Sequence, residues 1–355
     1  MRIVTYNIQF GLGKDGRFDL ERVADEVDGA DIIALQEVER YWQRSGNIDQ
    51  VAQLGQILKK YYWVYGPYFD VDASESQPNG IINNVRRQFG NMILSKTPIL
   101  STRLFPLPKS ALRQRHNMVV GVFEGVVKLQ HDGALRIYNA HLGARSQLDR
   151  VAQIISIRET IRRAPAEGGA WTGDLAHSLW EHHAHTLWDE DATPPPMPKS
   201  FVLLGDFNLE TKDPEYDYLV GPRDGDLGRI SSKEEFIDTW VAAGHDEDEG
   251  VTYSSSPLSS AVQGIRIDYA FVDESMQKRV VGVWIDEMAQ GSDHQPYWVE
   301  LDYAPYTLDV VLVLCATKIS IFDNNTFQQF WSHHPSHTPY IIAISLQAGN
   351  RSRRE

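Results

Sequence analysis

Cysteine is nearly absent: Cys315 is the only one in 355 residues. An intrachain disulfide is therefore impossible, and with it go the disulfide-stapled secreted scaffold and any thiolate zinc site. Long apolar runs are missing too. No stretch approaches the roughly 18 residues needed to span a bilayer, and MRIVTYNI has neither the apolar core nor the small-residue cleavage site of a signal peptide. The expectation is a cytoplasmic protein without an integral membrane segment. Positive charge is in short supply, with 34 Lys and Arg against 48 Asp and Glu and a net charge of −14. That balance opposes non-specific attraction to a polyanion such as duplex DNA, although a local basic groove can override it. No obligate protein partner is evident.

What is present suffices for a large core. With 42% hydrophobic residues, the chain can fill one large α/β domain. Short β-branched runs at 3–8, 32–35, 91–94, 119–129, 135–140, 201–204, 267–272 and 297–301 read as strands. Helical spacing appears at 19–27, 49–60 and 148–162. Many short strands with few helices between them predict stacked sheets flanked by helices. The catalytic domain is expected to cover 1–303.

Two segments break the pattern. Residues 164–200 combine a Gly-rich start, the His-rich centre WEHHAHTLWDED and a Pro run, and read as a surface insertion. Residues 304–355 form a tail whose DVVLVLCA run is strand-like and too short to cross a membrane. The tail reads as an edge strand, a partner-binding segment or sequence foreign to the domain.

Chemistry concentrates at strand ends. In LLGDFN a buried strand runs straight into Asp206 and Asn208, which alternation places on one face with Phe207 on the other. There Asp206 can accept a proton from an attacking water and Asn208 can fix the phosphate; Asp-x-Asn also simply opens turns. Asn7 ends the first strand and Glu37 the second, an oxygen-rich pair that suits Mg²⁺; each residue alone is an ordinary turn amide or solvated acid. In GSDHQPYW, Asp293 can face a metal while His294 hydrogen-bonds a phosphoryl oxygen. Asp268, in a strand, needs a partner, and the His294 ring nitrogen is its natural one. His141 follows a strand and can donate to a phosphate oxygen, or merely sit at the surface. The insertion histidines His177, His182, His183 and His185 offer a transition-metal alternative, though a solvated surface segment explains them better.

Taken in order, TYNI, LQE, NMILSK, AHL, GDFN, RIDY and SDH resemble the motifs of the endonuclease/exonuclease/phosphatase superfamily over roughly 1–303. The resemblance implies an α/β four-layer sandwich of two mostly antiparallel sheets with helices outside. It implies Mg²⁺, with Mn²⁺ as a substitute, on Glu37, Asn7 and Asp293. Asp206 becomes the residue that aligns or deprotonates water, Asn208 its companion at the phosphate, and Asp268 the acid behind His294. His141 matches the second histidine of members resembling deoxyribonuclease and neutral sphingomyelinase. Asn91 falls where members place a residue near the substrate, and Arg115 is a candidate for meeting a substrate anion.

The implied activity is hydrolysis of a phosphate ester, as a phosphodiesterase, by in-line attack of water. The partner is the substrate itself: nucleic acid, phospholipid or a small phosphoester. Alternatives are a dedicated DNA endonuclease and a catalytically idle binding module. NNVRRQFGN and NAHLGA depart from abasic-site enzymes, Arg86 and Arg87 form either a phosphate clamp or a solvated pair, and Arg150 and Gln153 read as an ordinary helix face. The aromatic run Tyr61, Tyr62, Trp63, Tyr65, Tyr68 and Phe69 is expected to be mostly core.

Overall fold

Period-two alternation along runs that are apolar on both faces builds two six-stranded sheets. In chain order the strands are β1 (Arg2–Asn7), β2 (Ile32–Arg40), β3 (Tyr62–Asp72), β4 (Glu75–Ser76), β5 (Ile82–Asn83), β6 (Arg86–Ser95), β7 (Ile99–Pro106) and β8 (Gly121–Lys128). They continue as β9 (Ala134–His141), β10 (Phe201–Asp206), β11 (Arg223–Asp224), β12 (Gly228–Arg229), β13 (Ile237–Asp238), β14 (Asp268–Val272), β15 (Val280–Ile285) and β16 (Tyr297–Leu301). The helices are α1 (Leu20–Glu26), α2 (Gln50–Ile57), α3 (Gln147–Glu167), α4 (Pro214–Val220) and α5 (Thr239–Ala242). This computed structural model describes residues 1–113, 117–130, 133–172, 194–230, 236–254, 264–303, 308–315, 318–323 and 340–346.

The first sheet runs β15-β16-β1-β2-β6-β3 and the second β13-β14-β10-β9-β8-β7. Only β1–β2 and β9–β10 pair in parallel within them. Val4, Tyr6, Ile33 and Leu35 face outward onto Val23 of α1 and Val51 and Leu54 of α2. Tyr138, Leu203, Tyr269 and Phe271 face outward onto Ile154 and Ile157 of α3 and Leu219 of α4. The result is a four-layer α/β sandwich. Residues of opposite parity, among them Thr5, Gln36, Asn91 and Asn139, therefore lie between the sheets, where they bond across the gap. Gln36 Nε2 donates to Thr5 Oγ1 (2.9 Å) and Asn139 Oδ1 (2.8 Å), and Asn139 Nδ2 donates to the carbonyls of Leu35 (2.9 Å) and Met92 (3.0 Å).

Several expectations need correction. β3 and β7 lie at sheet edges, where one-sided exposure blurs the alternation. For the same reason Tyr62 and Trp63 of β3 are 55% and 44% exposed, and of the aromatic run only Tyr68 is buried. α3 continues past 162 to Glu167 even though Pro165 lies inside it. Pro165 has no N–H to give to Ile161, and the Ile161 carbonyl instead accepts from Arg136 Nη1 (2.8 Å). The insertion thus begins on a helix, while its histidines His177, His182, His183 and His185 lie outside the described residues. No helix among the described residues is long and apolar enough to cross a membrane.

The chain divides into two units, Met1–Asp302 and Tyr303–Glu355. In the second, β17 (Leu308–Cys315) lies between β18 (Lys318–Asp323) and β19 (Tyr340–Leu346), antiparallel to both. The DVVLVLC run is therefore the central strand of its own sheet, not an edge strand.

Asn139→Ala would remove three buried hydrogen bonds at once. Unfolding free energy from urea titration is expected to fall by about 2–4 kcal/mol, whereas a change under about 0.5 kcal/mol, the usual size for a surface position, would show that the cross-sheet bonds hold nothing.

Candidate active site

The inward parity of four strands delivers four polar side chains to one end of the sandwich: Asn7 from β1, His141 from β9, Asp206 from β10 and Asp268 from β14. Asp206 stands directly across from His141 on one side and Asp268 on the other. Gly205 makes this possible. Its φ is +143°, and a Cβ there would come within 1.9 Å of the Ala140 carbonyl oxygen, so only glycine lets β10 approach β9 this closely. Asp206 Oδ2 accepts from Asn7 Nδ2 (2.9 Å) and Oδ1 from the Asn208 amide (2.9 Å). β10 stops at Asp206, so Asn208 reaches the site by a left-handed turn (φ 51°) and not by strand alternation. Its Nδ2 holds the Leu142 carbonyl at 2.9 Å, while Phe207 is buried among the core rings of Tyr269 and Phe271.

Glu37 is not at a strand end. β2 continues to Arg40, and Glu37 sits at a bulge between Leu35 and Val38 with φ 59°. A bulge re-aims a side chain, and here a glutamate accepts a left-handed conformation to point into the site. Asn7 Nδ2 lies 3.2 Å from Glu37 Oε1. The Asn7 oxygen accepts from the Gln9 amide (3.0 Å), and Gln9 Nε2 donates to Asp293 Oδ2 (2.8 Å).

Glu37, Asp206, Asp293, Asn208, His141 and His294 line one cleft of about 390 Å³, closed on its apolar side by Phe10, Tyr253, Ile265 and Ile267. Among the described residues no Lys or Arg lines it. His294 Nδ1 is 2.8 Å from Asp268 Oδ2, its Nε2 is 3.8 Å from Asp206 Oδ2, and the Tyr253 ring lies tilted against it with centroids 4.9 Å apart. His141 Nε2 lies 3.6 Å from Asp206 Oδ2 and 3.9 Å from Glu37 Oε1.

Burial sets the protonation states. It pushes Glu37 up, against the opposing pull of His141 and His294. It pushes Asp206 up to about 7, His294 opposing and Asp268 reinforcing. It pulls His141 down. For His294 the same burial is more than reversed by the carboxylates of Asp268, Asp206 and Asp293, which raise it to about 10. Asp206, Asp268 and His294 also form a group whose ligand atoms lie within 4.8 Å of one another, close enough to hold a metal ion.

Not every candidate joins the cleft. Asn91 is fully buried in β6, donates to the Asn139 carbonyl (2.8 Å), and does not line it. Arg115 lies outside the described residues. Arg86 is bonded to Asp70 (2.8 Å) and Arg87 to the Tyr41 carbonyl (3.1 Å), so the pair is no free phosphate clamp. Arg150 is held by Glu215 and Gln153 by Gly143 and Pro108. Sequence reasoning missed Gln9, whose only signal is a polar residue between Ile8 and Phe10, and Tyr68, hidden in the aromatic run, whose hydroxyl lies 2.8 Å from His141 Nδ1.

In the metal-free protein the His294 ring is expected to titrate near pH 10 by proton NMR, and Asp268→Asn to lower that value. Because the folded value is raised, the stability from this pair is complete below 6.5 and lost as pH rises towards 10. The urea midpoint should therefore drop over that window in the wild type and stay flatter in Asp268→Asn; equal slopes would disprove the coupling.

The model of the "Endonuclease/Exonuclease/phosphatase family" matches residues 4–294. Among solved structures, the endonuclease/exonuclease/phosphatase from Beutenbergia cavernae is 19% identical with a TM-score of 0.54, over 91% of this chain and 81% of that one. One from Bacteroides vulgatus is 17% identical with a TM-score of 0.54, over 85% and 98%. A mannosyl-6-phosphatase from Bacteroides thetaiotaomicron is 16% identical with a TM-score of 0.52, over 85% and 100%. Comparison with curated proteins gives no match. These structural likenesses carry the fold, and the match over 4–294 carries the membership: the chain belongs to the endonuclease/exonuclease/phosphatase family.

Proposed function

We propose that the protein is a divalent-metal-dependent hydrolase of phosphate esters, and specifically a phosphodiesterase, acting through the cleft around Asp206. Members of its family are phosphoesterase hydrolases. The observation that carries the reading is the position of Asp206, a buried carboxylate raised to about 7 with one histidine 3.6 Å and another 3.8 Å from its Oδ2.

The donor set fits a hard cation. Glu37 and Asp293 are carboxylates in a cleft without a described Lys or Arg, and oxygen-only ligands favour Mg²⁺, or Mn²⁺ in its place, over softer metals. Asn7 would complete the set through its oxygen, which at present accepts from Gln9 while its nitrogen faces the carboxylates. The Asp206, Asp268 and His294 group fits a cation less well, because His294 Nδ1 and Asp268 Oδ2 are already hydrogen-bonded to each other. A cation on Glu37, Asn7 and Asp293 would supply positive charge to the phosphate oxygens.

The protein's own groups do the rest. Asp206 takes the proton of the attacking water, whose oxygen bonds to phosphorus as the bond to the leaving alcohol breaks. His294, held as a cation by Asp268, donates to a phosphoryl oxygen as negative charge grows there. Asn208 borders the same space. The apolar wall of Phe10, Tyr253, Ile265 and Ile267 gives the organic part of an ester a surface that excludes water.

Hydrolysis of bis-p-nitrophenyl phosphate, p-nitrophenyl phosphate, plasmid DNA and sphingomyelin should be measured with Mg²⁺, Mn²⁺ or EDTA. Turnover is expected on at least one diester, lost in EDTA, and lowered about a thousandfold in Asp206→Asn and in His294→Ala. The rate should climb with pH through an acidic limb no higher than about 7, since Asp206 must be charged to accept a proton and a neighbouring cation only lowers its value. Turnover that survives EDTA or Asp206→Asn would sink the mechanism.

A further inference from the structure

The two histidines of the cleft are backed by different chemistry. Behind His294 stands a carboxylate, which can only accept. Behind His141 stands a phenol, Tyr68, whose hydroxyl lies 2.8 Å from Nδ1. Tyr68 is buried, and among the described residues its hydroxyl has no second partner.

A phenol is both donor and acceptor, so the direction of this bond has to be worked out. If Nδ1 carried the proton, the Tyr68 oxygen would accept it and its own O–H would be stranded in the interior without a partner, which is costly. Donation from Tyr68 to a bare Nδ1 leaves neither group stranded. The other end of the ring gives the same answer independently. Nε2 looks at Asp206 Oδ2 (3.6 Å) and Glu37 Oε1 (3.9 Å), both acceptors, which attract an N–H and repel a lone pair.

We infer that Tyr68 is a positioning residue that fixes His141 as the neutral Nε2–H tautomer, its proton aimed into the cleft as a donor to a phosphate oxygen. Phosphate oxygens only accept, so the opposite tautomer would present them with a lone pair. The ring has little freedom to escape this arrangement: Tyr68 packs edge-on against Phe89 at 5.8 Å, and His141 touches both rings. His294 thus brings a donor with charge and His141 a donor without it. The role of the donor rests on the proposed hydrolysis; the wiring of the ring does not.

The test is long-range nitrogen–proton correlation NMR of the His141 ring in the labelled, metal-free protein, beside bis-p-nitrophenyl phosphate kinetics with Mn²⁺, for wild type and Tyr68→Phe. In the wild type a protonated Nε2 and a bare, hydrogen-bonded Nδ1 are expected. In Tyr68→Phe the Nδ1 signal should lose its hydrogen-bond shift and the second tautomer appear, with kcat down about tenfold and KM nearly unchanged. A merely structural role for Tyr68 would leave the ring signals as they are. Nδ1–H in the wild type, or unaltered ring signals and kcat in Tyr68→Phe, would overturn the inference, and the wild-type spectrum decides even if the variant does not fold. Nε2–H in a wild type that turns over no phosphate ester supports the wiring and overturns the hydrolytic reading, so the two failures are told apart.

Discussion

The site depends on hydrogen bonds made across the gap between two sheets. Sheet-on-sheet packing is normally an apolar affair, and the inner faces here are apolar along most of their length. Near one end, the amides of Gln36 and Asn139 replace that packing with directed bonds to each other and to the carbonyls of Leu35 and Met92. Such bonds have a length and an angle, so they fix the lateral register of one sheet on the other in a way that side chains such as leucine and valine do not. Beside and just beyond them lie Asn7, which pairs with Gln36, Glu37, which follows Gln36, and Asp206, two residues past the partner of Asn139, and their own contacts tolerate little sliding. The amide layer serves as the datum from which the cleft is measured.

With that register set, the inner-face rule does most of the work of assembly. Asn7, His141, Asp206 and Asp268 come from four strands far apart in the chain, yet each lands at the same end of the sandwich, in or directly behind the cleft, because its parity and its position at the strand end agree. Two exceptions need special backbone, Glu37 a bulge and Asn208 a left-handed turn, while Asp206 follows the rule only because the bare backbone of Gly205 lets β10 approach β9. Strain gathers where side chains must depart from the regular pattern to reach the same point.

This division explains what the sequence made legible. Strands buried on both faces, such as β1, β10 and β14, stand out as apolar runs, and the polar residue at one end of each is conspicuous. Edge strands β3 and β7 show mixed faces, so neither stands out as an apolar run. Glu37 lines the cleft but does not end its strand, because nothing in LQEVER distinguishes a strand that ends from one that bulges and goes on. Proline ordinarily ends a helix, and at Pro165 the distant Arg136 relieves the Ile161 carbonyl that it leaves unbonded. Tyr68 was invisible as a partner of His141, since the two are 73 residues apart and one aromatic in a cluster of six carries no mark of its single hydroxyl contact.

The edge strand β3 has a bearing on how the molecule behaves in company. Eleven residues of strand with no partner strand on one side, among the described residues, would template a strand from a neighbouring molecule. Here the rim is interrupted by Pro67, which offers no N–H, by an irregularity between Pro67 and Phe69, and by Asp70 and Asp72. A passing strand finds no continuous ladder of donors to settle on, so the exposed rings of Tyr62 and Trp63 can remain on the rim without recruiting a neighbour's backbone.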